Sequence, residues 1–426
     1  MKDDAVAPGR GEPVVYLDYN ATAPLRPEAL AAMLPILRSV GNAASPHALG
    51  RQAAESVEVA RRQLADLLGC SPGELIFTSG ATEANNLALQ AAIHSRGRLI
   101  TSAVEHPAVL ETARALANES RCDLVVLGVD EDGIIDLDAL HQVLQPRQPS
   151  LVSIMAANNE TGVLTDLERV VDIAHEAGAL VHTDATQLIG RLPVDLSTLD
   201  VDMLSLSAHK FGGPQGVGAL FIRRGLNLPG KPLLHGGGQE RGWRAGTLNV
   251  AGIVGAGAAA AVARANLEAE SQRIQSLRDL LEESLLTRVE ETRVNGRRDR
   301  RLPNVSSLTF SGAPADAVLA AMPDVAASDG SACSSGAPTP SHVLLAMGRS
   351  REDAESTIRF SLGYGTTKDD IERAVEATAN AVAHVRRTLG TAGAVRVVAQ
   401  TRRATDERSG VDRLTCPGSP VERARV

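Results

Sequence analysis

Lysine is scarce in this chain, with four among 426 residues (Lys2, Lys210, Lys231 and Lys368), so chemistry that needs an amine nucleophile has few places to occur. Lys210 differs from the others in its neighbours. It ends the run Ser207, Ala208, His209, Lys210, directly after the apolar stretch 203–206, and the glycine-rich segment 211–218 follows. A lysine at the carboxyl edge of a parallel sheet sits where ligands bind in open α/β folds, and its amine can form a Schiff base there. A surface-loop lysine is the ordinary alternative. Asp184 also closes an apolar run, 180–183. A carboxylate in that position can hold the proton on a pyridine ring and keep a pyridoxal group working as an electron sink, whereas capping the next helix is the commoner use of such an Asp. An Asp and a Lys at the ends of neighbouring strands together favour the cofactor reading.

Other residues fall at matching places. Gly80, Ala81 and Thr82 follow the apolar 75–77 and open a helical pattern; backbone N–H groups at a helix N-terminus suit a phosphate, and Thr82 as a simple cap is the alternative. His106 follows 99–101 and precedes Pro107, where an imidazole can stack on a flat ring and move protons, or simply lie in an exposed loop. Arg359 stands inside the apolar run 357–362 and so needs an anion: a substrate carboxylate offers bidentate geometry, and a structural salt bridge competes. Cys333 lies in a Gly, Ser and Pro-rich stretch, 328–341, which reads as exposed and mobile and favours a reactive thiol. Cys70 and Cys122 border apolar elements and read as buried spectators, and Cys416 lies in an unsupported tail. The four cysteines are far apart, with no metal-ligand spacing.

These residues need a scaffold of alternating strands and helices. Short Val, Ile and Leu runs at 75–77, 99–101, 124–127, 151–155, 180–183, 203–206 and 219–222 alternate with helical patterns, the mark of βαβ units around a mostly parallel sheet. Residues 53–68 read as a helix that Gly69 ends. The Ala-rich 248–288 predicts one or two long helices, 304–310 and 357–362 read as strands, and 369–389 reads as a final amphipathic helix. The fold class is α/β, with a large domain at 14–260 and a smaller α+β domain at 261–390. The 36 residues after Gly390 hold seven Arg and four acids with little apolar periodicity, so 391–426 reads as a disordered tail.

Composition bounds the function. An excess of 51 acids over 43 bases gives a net charge of −8, which disfavours a broad nucleic-acid face and fits metabolites or protein partners. The polar first dozen residues lack a signal-peptide core, and no run reaches the roughly 18 apolar residues of a membrane span. The expectation is a cytoplasmic protein without nucleic-acid or membrane partners.

Several segments together resemble a known family. They are 16–22 (Tyr-Leu-Asp-Tyr-Asn-Ala-Thr), 41–47 (Gly-Asn-Ala-Ala-Ser-Pro-His), Phe77 to Asn86, Asn158, Asn159 and Glu160, the Asp184 and Lys210 motifs, and Gly236 to Thr247. In this order, over about 14–389, the chain is similar to the NifS/IscS cysteine desulfurases, class V aminotransferase-family enzymes of the pyridoxal-phosphate-dependent fold type I. The resemblance implies a pyridoxal 5′-phosphate cofactor and a homodimer, with residues 1–25 joining the smaller domain. It implies that Lys210 forms the Schiff base, Asp184 meets the pyridine nitrogen, Gln187 meets the ring hydroxyl, and His106 stacks on the ring and moves protons. Ala81, Thr82, Ser207 and His209 would hold the phosphate, aided by Thr247 of the partner subunit. Asn159 would lie against the cofactor and, with Arg359, bind the carboxylate of L-cysteine. Cys333 matches the nucleophile that takes the sulfur as a persulfide, and the length of its segment resembles the NifS/IscS subgroup more than the SufS-like one.

The pattern is broken at Ala23, where a second Thr is usual, at Asp329, four residues before the nucleophile, and at Trp243 in the 241–247 turn. An acid close to Cys333 would raise its pKa and slow attack. The implied activity is transfer of sulfur from cysteine to an acceptor protein, for iron–sulfur clusters, tRNA thiolation or a thio-containing product. A selenocysteine lyase or another class V enzyme is the alternative, followed by an inactive partner-binding homologue.

Overall fold

The computed structural model describes residues 13–93, 97–145, 148–330 and 339–390; Cys333, Cys416 and the 391–426 tail lie outside them. The first part of the chain runs β1 (Val15–Tyr16), α1 (Pro27–Arg38), α2 (Ala48–Leu68), β2 (Leu75–Thr78), α3 (Ala81–Ala92), β3 (Gly97–Ser102), α4 (Pro107–Asn118), β4 (Cys122–Leu127), α5 (Leu137–Val143), β5 (Ser150–Ser153), α6 (Leu167–Glu176), β6 (Leu180–Asp184), β7 (Met203–Ser207) and β8 (Gly218–Ile222). After α7 (Val250–Arg288) come β9 (Thr292–Val294), β10 (Val305–Phe310), α8 (Ala315–Ala321), β11 (Val325–Ala326), α9 (His342–Ala346), α10 (Arg351–Glu355), β12 (Thr357–Ser361) and α11 (Lys368–Leu389).

Seven strands form the main sheet in the order β2-β8-β7-β6-β5-β3-β4. Only β8 runs antiparallel to its neighbours, against β2 and β7, so the sheet is mostly parallel, as the alternating pattern predicts. The near-continuous apolar strands fit a sheet covered by helices on both faces: Val152, Val181 and Leu204 enter one apolar core, while Leu99, Leu151 and Met203 enter another on the opposite side. A second, three-stranded sheet, β12-β10-β9, is antiparallel. It packs with α8, α11 and the distal half of α7 around Leu308, Phe310, Ile358, Phe360 and Val382. Val15 and Leu17 belong to this core as well, because β1 pairs in parallel with β11. From there residues 18–22 cross back to the main sheet.

Helix α2 begins at Ala48, five residues before the sequence pattern suggests. Gly50, a poor helix former, sits in its first turn because a Cβ there would lie 2.2 Å from the Ser45 carbonyl, and His47 caps the end by accepting from Gly50 N. Gly69 ends α2 in the left-handed conformation at φ 66°, which glycine adopts without cost. The 248–288 pattern resolves into one helix of 39 residues. By length and hydropathy α7 contains a stretch long enough to cross a membrane. Its small residues instead let it lie close against α1 and α2: a Cβ on Gly255 would meet Met33 at 2.6 Å, and one on Gly257 would meet Ala60 at 2.5 Å.

Cys122 is buried and Cys70 half-buried, both as free thiols. Burial pushes the Cys70 thiol up to about 12, which makes it inert near neutrality.

Candidate active site

The carboxyl ends of β3, β5, β6 and β7 open on a cavity of about 460 Å³. Nine of the residues singled out in the sequence line it together: Ala81, Thr82, His106, Asn159, Asp184, Gln187, Ser207, His209 and Lys210. Their convergence follows from topology, since in a parallel sheet every strand delivers its following residue to the same edge.

Lys210 is presented by a single 3-10 turn, Ala208–Lys210, after β7. Its Nζ donates to the backbone carbonyls of Asn20 at 2.5 Å and Ala21 at 2.7 Å, so the N-terminal crossing segment orients the amine. Asp184, the last residue of β6, accepts from Asn85 Nδ2 through Oδ2 at 2.7 Å and from Thr186 N through Oδ1 at 2.9 Å. Both bonds fix the carboxylate plane. Gln187 donates to the Asn20 carbonyl at 3.1 Å and accepts from Arg191.

His106 caps α4 by accepting from Ala108 N through Nδ1 at 3.1 Å. With Nδ1 engaged as an acceptor, the neutral ring carries its proton on Nε2. Burial holds this imidazole below its usual pKa, Lys210 and His342 add to the effect, and Asp184 opposes it. His209 is held down at about 4, chiefly through burial and then Lys210 and Arg191, while its Nδ1 is 3.0 Å from Thr22 Oγ1.

Helix α3 aims its N-terminus into the cavity with Gly80 as cap. The first N–H groups of a helix have no intrahelical acceptors and carry partial positive charge. Strand β8 passes directly beneath this turn, and a Cβ on Gly218 would lie 2.6 Å from Gly80 Cα. The close approach accounts for glycine at 218.

The donor set fits pyridoxal phosphate: an amine, a facing carboxylate, an imidazole and a helix N-terminus with Ser207 and His209 beside it. Buried polar atoms support the fit. Asn85 Oδ1, Asn159 Oδ1 and Thr186 Oγ1 have no hydrogen-bond partner among the described residues, and all three side chains line this cavity. Orphaned polar atoms inside a fold cost free energy, so their clustering points to a polar ligand that completes them.

Two further residues are not in the cavity lining. Arg359 is buried behind it, where Nη2 pairs with Asp18 at 2.7 Å and Nη1 donates to the Asn159 carbonyl at 3.1 Å, while Nε has no acceptor among the described residues. The salt bridge that competed with carboxylate binding in the sequence is therefore present. Thr247 lines a separate cavity with Asn42 and Gln239. The turn before it is held by Glu240, which pairs with Arg61 at 2.7 Å and accepts from Phe77 N at 2.8 Å, and Glu240 and Arg241 adopt left-handed φ values of 46° and 54°.

Sequence reasoning gave no role to Asn20, Asn85, Glu105 or Arg191. Asn85 is an amide on the buried face of α3, and a polar residue amid Ala84, Leu87 and Ala88 is the signal that could have found it. Glu105 is completely buried beside His106, accepting from Ser102 Oγ at 2.7 Å and Met155 N at 2.8 Å.

The chain belongs to the class-V aminotransferase family, whose model matches residues 15–374. Within it, the chain is 44% identical over 379 residues to a cysteine desulfurase from Gluconacetobacter diazotrophicus, covering 87% of this chain and 94% of that one. It is 43% identical to the cysteine desulfurase IscS of Histophilus somni, over 87% of this chain and 93% of the other. A solved NifS-like protein superposes with a TM-score of 0.80 at 36% identity, covering 86% of this chain and 98% of its own. The architecture is that of the fold type I enzymes expected from the sequence.

Proposed function

We infer that the chain is a cysteine desulfurase that uses pyridoxal phosphate to move sulfur from L-cysteine to a protein thiol, leaving L-alanine. The observation that carries this reading is the meeting of Lys210 with the Asn85-held Asp184 carboxylate and the α3 N-terminus in one cavity, in a chain closely similar to named cysteine desulfurases.

When bound, the cofactor supplies an electron sink that weakens the α-C–H and β-C–S bonds of cysteine. The protein's part is to hold and orient. Lys210 offers the amine that tethers the cofactor, kept against the cavity wall by the Asn20 and Ala21 carbonyls. Asp184 is aligned by Asn85 to hold a proton on the ring nitrogen. The α3 N-terminus, Ser207 and His209 take the phosphate, and Gln187 takes the ring hydroxyl. His106, neutral and protonated at Nε2, stands where it can exchange a proton with substrate. Asn159 receives the substrate carboxylate, and Arg359 shares it only by exchanging its present partner Asp18 for the substrate.

The Cys333 thiolate then attacks the substrate sulfur. A sulfur–sulfur bond forms, the carbon–sulfur bond breaks, and the carbon takes up a proton to give alanine; protein thiol plus cysteine becomes protein persulfide plus alanine.

We further propose a cytoplasmic homodimer in which Thr247 of the partner subunit reaches the phosphate. Support comes from the separate location of Thr247 and from Leu30, Leu34 and Leu37, apolar and exposed on α1. The sulfur goes on to an acceptor protein, which labelled sulfur chased from the persulfidated enzyme will identify. The function is tested by supplying L-cysteine to the cofactor-loaded protein: alanine and persulfide in equal amounts support it, and alanine without persulfide contradicts it.

A further inference from the structure

Glu160 follows Asn159 directly, yet it does not line the cavity. Its side chain is buried and faces the other way, toward the two ends of the segment that contains Cys333. Ser341 Oγ donates to Glu160 Oε2. On the near side, a Cβ placed on Gly330 would lie 3.0 Å from the same Oε2. Gly330, at φ 82°, thus leaves to the carboxylate the space that a side chain would fill. One oxygen atom thus accepts from a residue at the start of the element that follows and lies close beside the last described residue before Cys333.

Each end is also tied to the site. Upstream, Gly330 N donates to Ser328 Oγ at 3.2 Å, and Ser328 exchanges backbone hydrogen bonds with Arg359 at 3.2 and 2.6 Å. Downstream, Ser341 caps α9 by accepting from Leu344 N at 3.1 Å, and His342 Nε2 contacts the Glu105 carbonyl at 2.9 Å, next to His106. Glu160 itself is held from behind, its N–H donating to Asn158 Oδ1 at 2.9 Å.

We infer that Glu160 is a positioning residue for sulfur transfer: through Oε2 it clasps Gly330 to Ser341 and fixes the base from which Cys333 reaches the substrate. The inference rests on the proposed role of Cys333. Cys333 follows Gly330 by three positions, a reach of at most about 11 Å, so the place of Gly330 bounds where the thiol can lie. Attack on sulfur requires near-contact geometry, and misplacement by about 1 Å can cost on the order of 100-fold. The groups facing this carboxyl are Ser341, Arg359 and Asp329; burial pushes it up to about 7, against the pull of Ser341 and Arg359 and with a push from Asp329.

The test separates the two halves of the reaction in cofactor-loaded enzyme. Stopped-flow absorbance after mixing with L-cysteine reads the substrate–cofactor step, and quenched-flow mass spectrometry reads persulfide formation. For Glu160→Ala and Ser341→Ala, persulfide formation slows by roughly 10–100-fold, the absorbance change and cysteine KM stay within about twofold, and Glu160→Gln, which keeps an acceptor for Ser341, restores most of the rate. Persulfide formation within about twofold of wild type in both variants overturns the inference. So does an equal loss of both signals, which marks a merely structural role. Should Glu160→Ala fail to fold, Ser341→Ala decides alone by the same two readings. Cys333→Ser keeps the readings distinct: if it forms alanine as fast as wild type, the role of Cys333 fails, whereas an inactive Cys333→Ser beside a normal Glu160→Ala sinks only the inference on Glu160.

Discussion

Asn85 Nδ2 lies 2.7 Å from Asp184 Oδ2, a buried amide on α3 holding the carboxylate that β6 delivers to the cavity. On the proposed reading, the element that would present its N-terminus to phosphate would also align the acid for the ring. Asn85→Ala removes a hydrogen bond to a charged group, worth about 1.5–3 kcal/mol, and is expected to weaken cofactor binding by roughly 10–100-fold. Absorbance titration of the apoprotein with pyridoxal phosphate measures this, and unchanged affinity would show that Asp184 needs no such support.

Replacing His106 by Ala should lower kcat by roughly 10²–10⁴-fold, the usual worth of a general acid–base group. Because burial, Lys210 and His342 depress its pKa, the acidic limb that it contributes to the pH profile lies below the ordinary histidine range and disappears in the variant. Steady-state alanine production across pH provides the check.

Glu105 gives the fold a pH dependence. Burial pushes its carboxyl from 4.5 up to about 8, so the folded state holds a proton that the unfolded state releases earlier. Its contribution is fully present below about pH 4.5 and is lost as pH rises through about 8, a few kcal/mol in order of magnitude. Thermal unfolding of Glu105→Gln should show a smaller decline over that interval than wild type; parallel curves would contradict the assignment.

Gly218→Ala places a methyl 2.6 Å from Gly80 Cα and from the Leu206 carbonyl. Backbone cannot yield as a flexible side chain would, so a loss of about 1–3 kcal/mol in stability is expected, together with weaker phosphate binding as the α3 turn shifts. Denaturant unfolding with and without cofactor separates the two effects.

How far the site was legible depended on the kind of residue. Lys210 and Asp184 stood out because each ends a continuous apolar strand, and strand ends in a parallel sheet share one edge. Gly69 was legible from capping chemistry and α11 from its amphipathic period. The early start of α2 was hidden by Gly50, whose use is a close approach to Ser45 that only three-dimensional packing reveals. Asn20 and Asn85 act through contacts across 190 and 99 residues of sequence, which no local pattern encodes. Arg359 was recognised as a charge in need of an anion, but nothing in the sequence pointed to Asp18, which reaches it from the N-terminal segment across two sheets' worth of chain.

The central claim, that the Lys210 cavity works on L-cysteine with Cys333 as sulfur acceptor, is tested most directly by a single turnover of the cofactor-loaded enzyme. Alanine is quantified, and each cysteine-containing peptide is weighed. The account predicts alanine equimolar with persulfide, the added sulfur on the Cys333 peptide alone, and neither product from Cys333→Ala. Persulfide on Cys70, Cys122 or Cys416 instead, or full alanine formation by Cys333→Ala, would contradict it.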